Sequence, residues 1–178
     1  MRFIETPLPG AWVIEPDRIS DERGWFARTF DAEEFEARGL QATVVQCNVS
    51  FNARRDCVRG MHYQAEPHGE PKLVRCVRGE IFDVAVDLRR DSPTRCHWHG
   101  VRLSAEDARA FYIPKGMAHG FQTLADACEV HYQMGYGYVP EAARGVRFDD
   151  PAFGIEWPEP MGARIISPRD ASYADFQP

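Results

Sequence analysis

The stretch KLVRCVRGEIFDVAVDL, residues 72 to 88, sets the reading of this chain. In its second half Phe82, Val84, Val86 and Leu88 alternate with Ile81, Asp83, Ala85 and Asp87. Alternation with a period of two puts successive side chains on opposite faces of an extended strand; a helix would need a spacing of about 3.6. Arg78 and Gly79 interrupt the run, so the stretch predicts two strands joined as a hairpin by a turn at these residues.

The same period extends in both directions. In ATVVQCNVSFN (42 to 52), Val45, Cys47, Val49 and Phe51 share one side, and Gln46, Asn48, Ser50 and Asn52 the other. A strand face made only of amides and a hydroxyl lines water or a ligand. ARAFYIPKGMAHGFQTL (108 to 124) predicts strand, Pro-Lys-Gly turn and strand, and CEVHYQMGYGYV (128 to 139) one strand more. Helical pattern is confined to DAEEFEARG (31 to 39), which has an Asp to cap it, acidic residues in its first turn and a Gly stop. Many short strands with Gly/Pro turns imply an all-β sandwich or barrel with few short helices. The tail from Phe148, rich in Pro and Gly, is expected to wrap the body as extended segments.

With 178 residues, 44% of them hydrophobic, the chain suits one domain, here 1–178 with an N-terminal arm and a C-terminal tail. No apolar run approaches the roughly 20 residues that span a bilayer. The first residues lack a charged region followed by an apolar one, so a cytoplasmic protein is expected. Five cysteines (Cys47, Cys57, Cys76, Cys96 and Cys128) form no CxxC pair and are read as reduced, small buried residues. A net charge of −6 argues against a general nucleic-acid binder but leaves room for a local basic pocket.

Of six histidines, His97 and His99 in HWH form the pair from which a metal reading would start, but no Glu follows at short range and surface histidines are favoured. His68, in the loop EPHGE, is expected to be solvated. His62 and His119 each sit beside a glycine, Gly60 and Gly120. Singly, each is more often a satisfied polar residue than a catalyst. As a set, Gln46, Asn48, Arg59, His62, Lys72, His119 and Tyr132 could converge inside a barrel, with Arg59 and Lys72 expected on adjacent strands. Arg and Lys there would bind an anionic, hydroxyl-rich ligand such as a sugar phosphate and stabilise charge growing on oxygen. A histidine suits proton abstraction near neutral pH, and a tyrosine proton return. Ordinary sheet polarity is the competing reading of the same residues.

The ordered motifs DERGWFARTF (21 to 30), QCNVSFN (46 to 52), VRGMHYQ (58 to 64), IPKGMAHGFQTLAD (113 to 126), YVPE (138 to 141) and FDDPAFGIEWP (148 to 158), with residues 72 to 94 between them, resemble the dTDP-4-dehydrorhamnose 3,5-epimerases over nearly the whole chain. The resemblance implies a cupin-type double-stranded β-helix, or jelly roll, without metal or other cofactor. It implies a homodimer with exchanged N-terminal strands. It also implies an isomerase of deoxysugar biosynthesis that takes a nucleotide-linked 4-keto-6-deoxy sugar. His62 matches the family's base, Tyr132 its acid, Asp170 the carboxylate that orients the histidine, and Lys72 the group at the enolate oxygen. Arg23, Gln46, Asn48, Arg59 and His119 match substrate contacts, Arg169 stands where lysine is common, and Phe26 and Tyr138 match aromatic neighbours of the nucleotide.

Two positions depart from the family pattern. Arg28 and Ala143 stand where members usually carry glutamates that contact substrate. The sign change at Arg28 raises a CDP-linked rather than dTDP-linked sugar, or inversion of only one centre, as an alternative. A ketoisomerase and a non-catalytic sugar-nucleotide-binding cupin are the other readings. The trio His62, Tyr132 and Asp170 argues against the last, since a binder needs no acid–base set.

Overall fold

The computed structural model describes residues 1–177. One sheet has six strands, ordered β1 (Arg2–Glu5), β2 (Trp12–Glu15), β10 (Ala110–Ile113), β7 (Lys72–Arg78), β12 (Cys128–Met134) and β5 (Gln46–Asn52). A second has five, ordered β13 (Ala143–Gly145), β6 (Val58–Gln64), β11 (Met117–Thr123), β8 (Glu80–Asp87) and β9 (Trp98–Ser104). All these pairings are antiparallel, and the two sheets roll face to face as an all-β jelly roll. A separate hairpin joins β3 (Arg18–Asp21) to β4 (Gly24–Ala27).

The stretch 72 to 88 does form two strands about Gly79, but they are not a hairpin. Strand β7 lies between β10 and β12, while β8 lies between β11 and β9 in the other sheet. Gly79 is therefore a corner where the chain passes between sheets. Its φ of +80° suits glycine, and a Cβ there would come within 2.6 Å of Cys128 Sγ. The Pro-Lys-Gly turn is a second such corner, between β10 and β11. Alternation says which face of a strand is buried; it does not say which strand lies alongside.

Three apolar layers hold the roll. Between the sheets pack Val74, Ile81, Ala85, Leu103, Phe111 and Phe121, with burial of each phenylalanine stabilising by about 2–3 kcal/mol. Outside the six-stranded sheet, α1 (Ala32–Glu36) buries Phe35 against Leu73, Ala110 and Tyr112. Asp31 caps this helix as expected, its side chain accepting from the Glu34 amide, and Gly39 follows at φ +70°. Outside the five-stranded sheet, the tail lays Val146, Phe153 and Trp157 over Met61, Val84 and Val86. The expected wrapping tail is present, with one addition: α2 (Pro168–Ala171), capped by Ser167. Cysteine burial is mixed. Cys76 and Cys128 are buried, but Cys47 is exposed because it shares the outward face of β5 with Val49 and Phe51.

Strand β6 is irregular where it matters most. Its register against β11 runs His62 to His119 and Arg59 to Phe121, so Gly60 and Met61 together face Gly120. This bulge shifts the phase of the strand. Arg59 and His62, three residues apart, would face opposite ways on a regular strand, yet both reach the interior. The two backbones touch closely at the bulge: a Cβ on Gly60 would lie 2.6 Å from Gly120 Cα and 2.7 Å from the His119 carbonyl oxygen, and Gly60 holds φ +113°. Gly60→Ala is expected to cost about 2–5 kcal/mol of stability through strain and overpacking. Urea denaturation measures it; an unchanged midpoint would mean that the two strands part freely.

Candidate active site

The inner faces of the two sheets enclose a cavity of about 650 Å³. That suits a ligand of drug or cofactor size. Strand β5 lines it with Asn48 and Ser50, β6 with Arg59 and His62, β7 with Lys72, β11 with His119, and β12 with Tyr132. Arg169 and Asp170 close it from α2. The amide and hydroxyl face of β5 thus points inward as its pattern predicted. His62 and Tyr132 stand on opposite sheets across the same space. Arg59 and Lys72 also come from opposite sheets and are not on adjacent strands.

Most of the titratable groups in the wall are held by a polar partner. His62 Nε2 lies 2.7 Å from Asp170 Oδ1, while Asp170 Oδ2 accepts the Gly60 amide at 3.2 Å. With an acceptor on Nε2, the ring carries its proton there and leaves the Nδ1 lone pair for another partner. Burial pulls His62 below the usual histidine value, outweighing the opposite pull of Asp170, and Lys72 and His119 add to the lowering. The imidazole is therefore neutral, and a competent base, at neutral pH. The Tyr132 hydroxyl lies 3.0 Å from Ser50 Oγ, and burial raises the phenol well above its ordinary value, so it keeps its proton. His119 Nε2 lies 2.7 Å from Asp83 Oδ1. Asp83 is fully buried, which raises its pKa. Arg59 donates to Asn52 Oδ1 at 2.6 Å.

The remaining candidates stand elsewhere. Gln46 and Tyr138 meet at the rim, where the Tyr138 amide donates to Gln46 Oε1 at 2.6 Å. Tyr138 and Ala143 line a side recess of about 140 Å³ that shares His62 and Arg169 with the cavity. Arg23 and Phe26 sit on the β3–β4 hairpin, both exposed, with Arg23 paired to Asp21. Arg28 pairs with Asp31 at 2.6 Å. None of these last three lines the cavity of its own chain. His68 is not simply solvated, since Nδ1 lies 3.2 Å from the Tyr136 hydroxyl. His99 packs edge-on against Phe111, and among the described residues no group of three or more His, Cys, Asp or Glu is placed to hold a metal ion.

Three wall residues escaped the sequence reading: Ser50 as the tyrosine's partner, Asp83, and Glu70, whose side chain pairs with Lys72. Asp83 had a signal. It shares the inward phase of β8 with Ile81 and Ala85, and an acid there needs a partner.

Comparison with known proteins identifies the family and the fold. A family model described as dTDP-4-dehydrorhamnose 3,5-epimerase matches residues 5–178. A protein of that name from Methanothermobacter thermautotrophicus is 50% identical over 174 residues, covering 97% of this chain and 92% of its own. The crystal structure of the Elizabethkingia anophelis protein of that name superposes with a TM-score of 0.95 at 37% identity, covering 99% of this chain and 96% of that one. A dTDP-6-deoxy-D-glucose-3,5-epimerase from Legionella pneumophila, solved with dTDP-4-keto-L-rhamnose, superposes with a TM-score of 0.89 at 39% identity, covering 95% and 89%. The chain belongs to the dTDP-4-dehydrorhamnose 3,5-epimerase family, isomerases that act on carbohydrates.

Proposed function

We propose that this protein inverts C3 and C5 of a dTDP-linked 4-keto-6-deoxy sugar. The observation that carries this reading is an imidazole and a phenol on opposite walls of one cavity that an ammonium also lines. The keto group acidifies the C–H bonds at both neighbouring carbons. His62 Nδ1 takes one proton, and the bonding electrons move onto the C4 oxygen as an enolate. Lys72 stabilises that oxygen with a charged N–H. Tyr132 delivers its proton to the carbon from the opposite face, which inverts the centre. One residue cannot serve both faces, so two groups of unlike pKa are required. Asp170 fixes the tautomer and the ring plane of His62.

The CDP alternative rested on the sign change at Arg28, whose guanidinium pairs with Asp31 and does not line the cavity of its own chain. The Legionella relative carries a dTDP sugar, and that nucleotide is proposed here. Arg59 and Arg169 supply positive charge for its diphosphate, and Gln46, Asn48 and His119 hold its polar groups. Tyr138 and Phe26 offer ring faces for the base.

The same reading includes a homodimer. Val45, just before β5, and Val49 and Phe51 on it are 55%, 61% and 55% exposed, and Phe26 on the hairpin is 70% exposed. Such clusters are rare on monomers. A partner seated on β5 would cover them, and an exchanged hairpin would carry Arg23 and Phe26 to the partner's cavity. Light scattering is expected to give twice the 20.3 kDa chain mass. Phe51→Glu should give the monomer; a monomeric unmodified protein would end the dimer assignment.

Two measurements test the chemistry. In D2O with the keto sugar nucleotide, NMR should show deuterium entering at C3 and C5, and His62→Ala should slow both by about 10²–10⁴-fold. Undiminished exchange in that variant would remove His62 from the reaction. The profile of kcat/KM against pH should show an acid limb below the ordinary histidine value of about 6.5, since burial lowers His62. No alkaline limb from Tyr132 is expected near pH 10, because its phenol is raised. Asp170→Asn removes the group that raises His62, so its limb should move to lower pH as the rate falls; a limb moving upward would contradict the assignment.

A further inference from the structure

Lys72 is the cation assigned above to the enolate oxygen, and its ammonium has three N–H donors. One donates to the His62 carbonyl oxygen at 3.0 Å. The same nitrogen lies 3.0 Å from Glu70 Oε1 as an ion pair. Both side chains are only 7% exposed. We propose that Glu70 is a positioning residue: with the His62 carbonyl it fixes the Lys72 ammonium so that the third N–H points at the C4 oxygen of the sugar. This rests on the enolate reading given above for Lys72.

Local structure places Glu70 for the task. It is the next-to-last residue of the loop that joins β6 to β7, two residues before Lys72, and two residues is the spacing that returns to the same face of an extended chain. A free lysine side chain has four rotatable bonds and about 2 kcal/mol of rotamer entropy. Near an open cavity it would turn toward water. Two anchors, one from β6 and one from the loop, remove that freedom before substrate arrives, which is what preorganised stabilisation of an oxyanion requires. The carboxylate also offsets the cost of keeping an ammonium in a wall that excludes most water. Glu70 lines both the cavity and the side recess yet has no other ion-pair partner among the described residues.

A double-mutant cycle on kcat for C3 and C5 exchange tests this, with thermal unfolding as a control for folding. Glu70→Ala should lower kcat about 10-fold and change KM less than about threefold, since the contact it supports strengthens in the transition state. Glu70→Gln keeps an oxygen acceptor and should recover most of the rate. In a Lys72→Ala background, Glu70→Ala should cost nothing further, because its effect passes through the lysine. An unchanged kcat in Glu70→Ala, or the same loss with and without Lys72, would overturn the assignment. If the unmodified protein exchanges neither carbon, the enolate reading itself fails and takes this one with it; if Lys72→Ala slows exchange while Glu70→Ala leaves kcat unchanged, only the role of Glu70 fails.

Discussion

Two glycine backbones lying closer than any Cβ would allow set the geometry on which the cavity depends. At Gly60 and Gly120 strands β6 and β11 press together, and two residues of β6 are taken up against one of β11. The extra residue rephases β6, so that Arg59 and His62 face the same interior. It also sets His62 opposite His119 in register. The Gly60 amide is taken by Asp170, the residue that holds the His62 ring. One carboxylate thus ties the carboxyl-terminal helix both to the bulge and to the imidazole. Backbone packing and site electrostatics are settled at the same place.

Around that place the wall repeats one device. His62 has Asp170, His119 has Asp83, and Lys72 has Glu70. Each nitrogen base or cation facing the cavity from these positions is backed by its own carboxylate. A buried charge is tolerable when paired, and a paired side chain keeps one geometry. Arg59 is held instead by the neutral Asn52, which leaves its charge uncancelled for an anion. A chain of net charge −6 can therefore receive an acidic ligand, since the acids near the cavity are engaged locally.

Strand positions were legible in the sequence and strand partners were not. The alternation over 72 to 88 located β7 and β8 correctly, yet these strands lie in different sheets, and β10 and β11 do likewise. Periodicity is a property of one strand and its two faces, whereas pairing is decided by long-range closure of the roll. The polar face of β5 was readable for the same reason: it is local. The tie of Asp170 to His62 spans 108 residues and entered only through the family resemblance. Ser50 was legible on the polar face of β5 but not as the partner of Tyr132, and Glu70 gave no signal, being a loop acid for which solvent exposure was as reasonable as burial. Helix α2 is only four residues long, too short to leave a periodic trace.

Strand β5 inverts the usual order of a sandwich, with amides turned in and Val49 and Phe51 turned out. Both faces are explained if both have partners. The inner amides cost little when a sugar nucleotide supplies their hydrogen bonds, and the outer apolar surface costs little when a second copy removes it from water. The β3–β4 hairpin fits the same account: it carries Arg23 and Phe26 yet makes few contacts with its own roll. A hairpin with so little to hold it would gain its order from the surface it crosses to. In the proposed dimer, assembly and completion of the site are then one event, because the strand that presents the apolar outer face is also the strand whose amides line the cavity.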